Sequence, residues 1–330
     1  MTNPQPNFIS NPEIRSKINQ FFGQNKPFLF AIDFAGEKGF VLSPEEADNI
    51  GIYYDFQGVT NREIKVVQPA LKFGFNPIEK STYEIAFEKV AFHLKRGDTY
   101  LLNLTFPTSL EVNYSLEQLF DCGKAPFKLF VPGSFVVFSP EPFVHISDLR
   151  ISSCPMKGTI DASVPDAEQK LLSDEKEFFE HNTIVDLIRN DLSIVSSNVE
   201  VTRFRYIDRI CTNRGELLQM SSEISGDLPP GYRRKMGDLL FALLPAGSIT
   251  GAPKEKTVEI IRETEKYDRG FYTGIFGYFD GKTLVSAVSI RFIEDTGNGL
   301  VYKSGGGITA LSDMESEYQE LLKKVYVPVI

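Results

Sequence analysis

A lysine near the middle of the chain stands between residues that shape the backbone around it. It belongs to the segment CPMKGT at 154–159. Pro155 fixes its own φ near about −65° and disfavours helix at Cys154, while Gly158 allows a tight turn or a close approach to a ligand. The pattern predicts that Lys157 is presented by a shaped loop or strand end. A surface lysine in an ordinary turn has the same local sequence, so a chemical role depends on the residues placed beside it.

Two pairs of glutamates, each three residues apart, lie in separate segments with helical patterns. Glu177 and Glu180 form one pair, and Glu317 and Glu320 form the other. A spacing of three places both members of a pair on one face of a helix. Either pair alone is typical of a solvated helix face. If the two helices converge, the pairs supply four carboxylates for Mg²⁺, which prefers oxygen ligands and often bridges to an anion.

Three further features suit the binding of an anion or the donation of a proton. Gly305–Gly307 precede the last predicted helix, where bare backbone N–H groups could meet an anion. Tyr272 and Arg291 are predicted on neighbouring strands of a hairpin, and their hydroxyl and guanidinium groups suit a carboxylate. Glu141 lies between two prolines near a strand end. Each feature also has an ordinary interpretation. The glycines could form a flexible turn, the arginine a surface ion pair, and Glu141 could be only a turn residue.

Composition and charge exclude several classes of protein. The 330 residues carry a net charge of −9 with a pI near 5.1, which disfavours nucleic-acid or anionic membrane surfaces as partners. No apolar run approaches the ~20 residues that span a bilayer, and the N-terminus lacks a signal-peptide pattern, so we expect a cytosolic protein. Three widely spaced cysteines and three histidines predict neither disulfides nor a zinc site, which leaves a hard cation held by carboxylates.

The loop GSITGAPK at 247–254 resembles a phosphate loop only superficially. Ala252 and Pro253 separate Gly251 from Lys254, and no Ser or Thr follows the lysine. A nucleotide site is therefore not predicted.

The elements that must position these residues are strands and helices without regular βαβ alternation, which indicates an α+β fold. Capping boxes at Ser81 and Ser115 predict two helices, and Ser173 is predicted to cap a long helix to about residue 189. Further helices are predicted at 235–244, 255–265 and 312–324. Strands are predicted at 27–34, 39–42, 50–55, 99–106, 127–131, 134–138, 143–146, 271–280, 284–293 and 300–303. No linker is long enough to force a domain boundary.

Taken together and in this order, the motifs resemble the chorismate-utilising enzyme family, which includes anthranilate synthases, aminodeoxychorismate synthases, isochorismate synthases and salicylate synthases. The similar segments span over half the chain and are poor before residue 80, beyond PFLFAIDF. They are SPEPF at 139–143, PMKGT at 155–159, EHNTIVDLIRNDL at 180–192, GSITGAPK at 247–254, FYTGIFGYF at 271–279, VSIRF at 288–292 and GGGITALSDMESEYQE at 305–320. The resemblance implies one α+β domain over 1–330, with large sheets packed as a sandwich and helices outside.

The resemblance also implies roles for single residues. The carboxylates that hold Mg²⁺ in the family, and through it the ring carboxylate of chorismate, match Glu177, Glu180, Glu317 and Glu320. The groups that hold the enolpyruvyl carboxylate match Tyr272, Arg291 and the backbone of Gly305, Gly306 and Gly307, with Ser248 nearby. Glu141 matches the acid that protonates the departing 4-hydroxyl. These roles are consistent with a dicarboxylate that must enter an acidic protein and lose hydroxide near neutral pH.

Lys157 distinguishes between members of the family. Anthranilate synthases resemble PIAGT at this motif and aminodeoxychorismate synthases resemble PIKGT, whereas this chain has PMKGT. In the second group the lysine attacks C2 of the ring as the 4-hydroxyl leaves, and ammonia then enters at C4 and expels the lysine. The attacking amine must be neutral, so we expect burial or cationic neighbours to lower the pKa of Lys157.

Two positions depart from the family pattern. Leu101 stands near the place where isochorismate and salicylate synthases have a water-activating lysine and where aminating members usually have Gln. Gln219 stands where members commonly have His, which makes a histidine-assisted loss of pyruvate less favourable.

The sequence therefore predicts Mg²⁺-dependent amination of chorismate at C4 to 4-amino-4-deoxychorismate, on the route to p-aminobenzoate and folate. Ammonia would come from a separate glutamine amidotransferase subunit, since no segment resembles a fused glutaminase. The nearest alternative is the anthranilate synthase reaction, which is amination at C2 with loss of pyruvate. A non-catalytic chorismate-binding or sensor protein is the alternative from another class. Loss of Glu141, Lys157 or any of the four glutamates would favour it, and all six are present.

Overall fold

The computed structural model describes residues 6–63, 69–212 and 215–328. The helices in these residues are α1 Asn11–Gly23, α2 Pro44–Asn49, α3 Lys80–Arg96, α4 Leu116–Cys122, α5 Ala167–Ser173, α6 Glu175–Val195, α7 Met236–Ala242, α8 Lys254–Glu265 and α9 Met314–Lys323. The strands are β1 Ile9–Ser10, β2 Phe28–Ile32, β3 Lys38–Leu42, β4 Tyr53–Phe56, β5 Val59–Thr60, β6 Phe73–Asn76, β7 Leu101–Val112, β8 Phe127–Val131, β9 Phe135–Ser139, β10 Pro142–Ser147, β11 Arg150–Ser153, β12 Met156–Asp161, β13 Ser197–Thr212, β14 Gly215–Asp227, β15 Gly251–Ala252, β16 Ile275–Phe279, β17 Leu284–Val288, β18 Phe292–Asp295 and β19 Leu300–Ile308.

The strands form two antiparallel sheets. One has ten strands in the order β1-β3-β2-β16-β17-β10-β11-β14-β12, with β13 paired to β14. The other has nine strands in the order β15-β7-β19-β18-β9-β8-β4-β5, with β6 paired to β7. Both sheets combine strands from before residue 81 with strands from the rest of the chain. The predicted α+β fold is confirmed.

A layer of aromatic side chains lies between the sheets. Phe276 and Ala287 of the ten-stranded sheet share a buried cluster with Phe127 and Phe292 of the nine-stranded sheet. Ten of the twelve largest fully buried side chains are phenylalanines, which explains why the chain can carry 27 Phe and no Trp. Each buried ring removes a large apolar area from water, so the sandwich is stabilised mainly by these contacts.

Helices cover the outer faces and close a second, larger core. Their buried residues include Ile18 of α1, Tyr83 of α3, Ile188 of α6 and Leu240 of α7, which all belong to one cluster with strand residues such as Leu104. The helix packing confirms the predicted arrangement of a sandwich with outer helices. None of the helices in the described ranges is long and apolar enough to cross a bilayer.

Helix boundaries follow local capping in part. Ser115 caps α4 with Gln118 as predicted, and Gly97 ends α3 in the left-handed conformation with φ 78. The capping box predicted at Ser81 is wrong, because α3 begins one residue earlier at Lys80. Ser173 is also not the cap of the long helix: it ends α5, and α6 is capped by Asp174.

Two further predictions near the site are wrong in ways that matter for chemistry. Tyr272 and Arg291 lie in the turns before β16 and before β18, not on paired hairpin strands. Gly305–Gly307 are not a turn that leads into a helix but part of β19, paired with β7.

Candidate active site

Lys157 lies in a distorted strand. It belongs to β12, whose pairing with β14 shifts register between Met156 and Thr159. Gly158 has φ +85, a conformation that favours glycine, and a Cβ there would lie 3.0 Å from Glu177 Oε2. The predicted shaped strand end is thus a bulge in a strand, and it brings Lys157 against the glutamates of α6.

The amine of Lys157 meets carboxylates of both glutamate pairs. Its Nζ lies 2.8 Å from Glu180 Oε2, and Glu320 and Glu177 also act on it electrostatically. Burial lowers the pKa of the Lys157 ammonium, but these three carboxylates together outweigh burial and raise the pKa above its ordinary value. The expected lowering of the pKa of Lys157 is wrong for this set of neighbours, because they are anionic.

The two glutamate pairs lie within the first two turns of α6 and of α9. Asp174 and Asp313 cap these helices by accepting hydrogen bonds from backbone N–H groups, which fixes where each helix begins. A Cβ at Gly306 would lie 3.4 Å from Glu317 Oε2 and 3.8 Å from Glu320 Oε1. The pair on α9 therefore lies over β19.

The donor set is chemically suited to a hard divalent cation. All four groups are carboxylates, and members of both pairs face Lys157. Each pair has one member in an ion pair with a lysine, Glu180 with Lys157 and Glu320 with Lys324 at 2.7 Å. Within 6–63, 69–212 and 215–328, no group of three or more His, Cys, Asp or Glu side chains is gathered as a metal site. The assignment of these glutamates to Mg²⁺ stays a prediction.

Lys324 is a second amine at the site that the sequence reasoning missed. Besides Glu320, its Nζ contacts the carbonyl oxygen of Gly305 at 2.9 Å. Burial raises the pKa of Glu141, and the charge of Lys324 is among those that partly oppose this rise. Lys324 follows Glu320 by four residues, so it shares the face of the glutamate pair. That spacing was the signal that could have identified it.

Glu141 is a buried carboxyl group with a raised pKa. It lies two residues after the end of β9, between two prolines as predicted, and accepts a hydrogen bond from Ser248 Oγ. Burial raises its pKa, and Ser248, Arg291, Lys324 and Lys157 only partly oppose that effect. The structure thus brings Glu141 together with Lys157, Arg291 and Ser248, and a raised pKa is what a general acid near neutral pH requires.

The turn that carries Ser248 is fixed against α6. A Cβ at Gly247 would lie 2.7 Å from Asp191 Oδ2, so glycine is needed for the close approach. Lys254 Nζ lies 2.8 Å from Asp191 Oδ1 and donates to Leu243 O at 2.8 Å. The lysine of GSITGAPK is therefore engaged in holding the loop, in agreement with the absence of a predicted nucleotide site.

Tyr272 and Arg291 lie close together despite their misassigned elements. Each acts electrostatically on the other, and burial raises the pKa of the Tyr272 hydroxyl, which stays a hydrogen-bond donor. Arg291 has φ 53, a costly conformation for a residue with a side chain. Its buried Nε has no hydrogen-bond partner, and no described carboxylate forms an ion pair with it. An arginine in this state suits a ligand carboxylate.

The glycines of β19 pair with β7 on one side and have no pairing with β18 on the other side. Gly305, Gly306 and Gly307 pair with Thr105, Leu104 and Asn103. Pairing with β18 ends at Lys303, so β18 does not cover the edge of β19 beyond that residue. The backbone of this edge is therefore not paired with β18, and Lys324 Nζ contacts the Gly305 carbonyl oxygen there.

The two positions that depart from the family pattern lie near the site. Leu101 Cδ1 would lie 3.1 Å from a Cβ at Gly307, so an apolar group covers the end of the glycine strand. Gln219 is paired with Thr159, two residues from Lys157. Neither side chain is titratable, so neither supplies a base to activate water.

Comparison with known proteins identifies the family of the chain. Residues 56–329 match the family described as chorismate binding enzyme. An uncharacterised PabA-like protein of Pasteurella multocida is 51% identical over 315 residues, covering 95% of this chain and 97% of the relative. An aminodeoxychorismate synthase component 1 of Salmonella typhimurium is 35% identical (74% of this chain, 56% of the relative), and an anthranilate synthase component 1 of Haloarcula marismortui is 36% identical (72% and 50%).

Solved structures support the same fold. A putative 2,3-dihydroxybenzoate-specific isochorismate synthase of Bacillus anthracis aligns with TM-score 0.72 over 97% of this chain and 89% of that chain, at 20% identity. Anthranilate synthase component I of Streptococcus pneumoniae aligns with TM-score 0.64 over 77% of this chain and 58% of that chain, at 27% identity. With a family match over most of its length, this chain belongs to the chorismate binding enzyme family and acts on chorismate.

Proposed function

We propose that the chain is an aminodeoxychorismate synthase component I, which aminates chorismate at C4. The observation that carries the proposal is the place of Lys157. Its amine lies at the junction of the α6 and α9 carboxylates and acts electrostatically on Glu141. A lysine amine and a buried carboxyl with a raised pKa thus share one site, and displacement of a hydroxyl group requires a nucleophile and an acid of these two kinds.

The proposed reaction has two balanced displacements. In the first, the neutral Lys157 Nζ forms a bond to C2, the ring double bonds shift toward C4, the C4–O bond breaks, and Glu141 gives its proton to the departing oxygen, which leaves as water. In the second, ammonia forms a bond to C4, the double bonds shift back, and the C2–N bond to Lys157 breaks, which releases the neutral lysine; the new C4 ammonium returns one proton to Glu141. Tyr272, Arg291 and the β19 backbone hold the enolpyruvyl carboxylate throughout, because that group does not react.

Glu177, Glu180, Glu317 and Glu320 would hold Mg²⁺ in this proposal. Bound there, the ion would bind the ring carboxylate of chorismate and offset the carboxylates that now raise the pKa of Lys157. Lys157 and Lys324 would have to leave Glu180 and Glu320, with which they are paired in this structure.

Ammonia would be supplied by a separate glutamine amidotransferase subunit. Support comes from the names of relatives, which are component 1 of two-component synthases. The chain itself spans 56% of the length of the Salmonella relative. The partner is therefore proposed by analogy with these synthases.

The test is an assay with chorismate, Mg²⁺ and ammonium, which bypasses the partner. Product mass and fluorescence distinguish 4-amino-4-deoxychorismate from anthranilate. We expect the non-fluorescent C4 product with pyruvate retained. Anthranilate formed without an added lyase would refute the proposal.

Anthranilate synthesis is the second candidate function. It is favoured by the 36% identity to the Haloarcula marismortui anthranilate synthase component 1. This identity is slightly higher than the 31% to 35% identity to the aminodeoxychorismate synthases of Bacillus subtilis and Salmonella typhimurium. The same assay decides between the two, since only the second candidate releases pyruvate.

A further inference from the structure

A buried ion pair lies behind the part of the site that faces the enolpyruvyl carboxylate. Arg269 Nε donates to Glu265 Oε2 at 2.8 Å, and Arg269 Nη2 donates to Glu265 Oε1 at 2.6 Å. The two side chains are 2% and 1% exposed. Removing a charged pair this completely from water costs free energy unless each of its polar atoms has a hydrogen-bond partner.

Arg269 uses its complete set of donors. Nη2 also donates to Asn103 O at 2.6 Å, and Nη1 donates to Ile249 O and to Thr273 Oγ1, both at 3.3 Å. With the two bonds to Glu265, these contacts account for the five N–H groups of a guanidinium. One side chain therefore joins three segments that are distant in sequence.

Two of these segments carry side chains of the site. Ile249 directly follows Ser248, and Thr273 directly follows Tyr272. Thr273 has φ 59, and the contact of its hydroxyl with Arg269 helps to hold that unfavourable backbone conformation. The backbone carbonyl of Arg269 also accepts a hydrogen bond from the Tyr272 N–H at 3.1 Å.

The third segment is the strand opposite the glycines. Glu265 Oε1 accepts hydrogen bonds from the backbone N–H of Thr105 at 2.8 Å and from its hydroxyl at 2.9 Å. Thr105 pairs with Gly305, and Asn103 pairs with Gly307. The ion pair thus holds in place the segment of β7 that pairs with Gly305–Gly307 of β19.

We infer that Glu265 and Arg269 are positioning residues that set the distances between Tyr272, Ser248 and the backbone of Gly305–Gly307. The inference rests on the proposed function, in which Tyr272 and the backbone of Gly305–Gly307 hold the enolpyruvyl carboxylate. That carboxylate takes no part in C4 amination, so misplacing its binding groups weakens substrate and transition state alike. Such a loss raises KM and leaves kcat nearly unchanged.

The experiment compares three variants by calorimetric binding of chorismate and by steady-state kinetics. Arg269→Lys keeps the charge but loses the planar fork. Thr105→Val removes the hydroxyl, with its contacts to Glu265 Oε1 and to the Tyr267 hydroxyl, at nearly constant shape. Arg62→Lys is the matched control, because Arg62 forms a bidentate pair with Asp121 of α4 at 3.0 and 2.8 Å. Arg62 lies two residues after β5, which is at the end of the nine-stranded sheet opposite β7 and β15.

We expect Arg269→Lys to raise the Kd and KM for chorismate about tenfold with kcat within about threefold, and Thr105→Val to raise both constants about threefold. Arg62→Lys should lower Tm but leave Kd within about twofold. Wild-type Kd in both Arg269→Lys and Thr105→Val, or an equal loss in Arg62→Lys, would overturn the inference. If Arg269→Lys does not fold, Thr105→Val decides. Binding needs no turnover, so a wild-type protein that binds chorismate but makes anthranilate refutes only the proposed function.

Discussion

The residue with the most specific chemistry is Lys157, and its removal tests the covalent role directly. We expect Lys157→Ala to lower the rate of C4 amination by about a hundredfold or more, since positioned catalytic groups contribute at least that much, or to divert the product toward C2 chemistry. The measurement is product analysis by mass with chorismate, Mg²⁺ and ammonium.

Lys157→Arg is the matched control for the ion pair with Glu180. It retains a cation beside the carboxylate but has no neutral form to act as a nucleophile. If Lys157→Arg keeps wild-type C4 activity, the lysine serves only as a charge and the covalent step is wrong.

Glu141 predicts the pH dependence of the reaction. Burial raises its pKa, and the protonated form is the one that acts as an acid. We therefore expect kcat/KM to fall as the pH rises through this raised pKa, and Glu141→Gln to lower kcat by about a hundredfold or more and to abolish that fall. Glu88→Gln, on an exposed position of α3, is the control and should keep the wild-type profile.

The same carboxyl links pH to stability. In the folded chain the pKa is above the ordinary value of 4.5, so the folded state binds more protons than the unfolded state and stability falls as the pH rises between the two values. Glu141→Gln does not ionise. Its free energy of unfolding relative to wild type should therefore increase from pH 4 to pH 8, as measured by urea denaturation, and an unchanged difference would contradict the raised pKa.

At the scale of elements, β19 gives two adjacent glycines different tasks. A Cβ at Gly305 would lie 2.4 Å from Leu104 O, whereas the nearest atom to a Cβ at Gly306 is Glu317 Oε2 at 3.4 Å. Gly305→Ala should therefore destabilise the fold by about 1–3 kcal/mol. Gly306→Ala should keep Tm and instead raise the Mg²⁺ concentration needed for half-maximal activity. Equal losses of Tm in both variants would contradict this division.

Much of the site could be predicted from sequence because its parts are local. The i,i+3 spacing of the glutamates and the prolines around Glu141 are properties of short segments, and both survive in the structure. The prediction of a turn at the glycines was wrong because three glycines in a row suit a turn as well as a strand in which a Cβ would clash with the neighbouring backbone, as a Cβ at Gly305 would at 2.4 Å from Leu104 O. Nothing in a short window of sequence shows the partner strand.

Contacts between distant segments could not be predicted. Lys157 was expected to have a lowered pKa, yet the carboxylates that raise it come from α6 and α9, more than 130 residues apart. The sequence does not identify Arg269 and Glu265 as positioning residues, because an i,i+4 ion pair at the end of a helix is common. Only the packed structure shows that Arg269 also contacts Asn103 and Ile249. Asn103 pairs with Gly307 and Ile249 follows Ser248, so both are next to residues of the site.

At the scale of the whole molecule, charge opposes the entry of the substrate. The chain carries −9, and chorismate is a dianion, so the long-range field repels it. Attraction comes from Arg291, Lys324 and Lys157, which are grouped around Glu141. Interactions between exposed charges are screened beyond about 10 Å at 0.1 M salt, while those of partly buried groups are screened much less.

The long range of the repulsion and the short range of the attraction predict an unusual salt dependence for an anionic substrate. Raising NaCl from 10 to 150 mM should screen the repulsion more than the local attraction, so kcat/KM for chorismate should rise by about twofold or more at saturating Mg²⁺ while kcat stays constant. Stopped-flow binding at the same salt concentrations would place the change in the association rate. Because the repulsion comes from the surface, replacing exposed glutamates of α3 such as Glu84 and Glu88 with glutamine should raise kcat/KM at low salt and reduce its salt dependence. A steady fall of kcat/KM with salt would instead mean that the cations of the site set the field that chorismate meets.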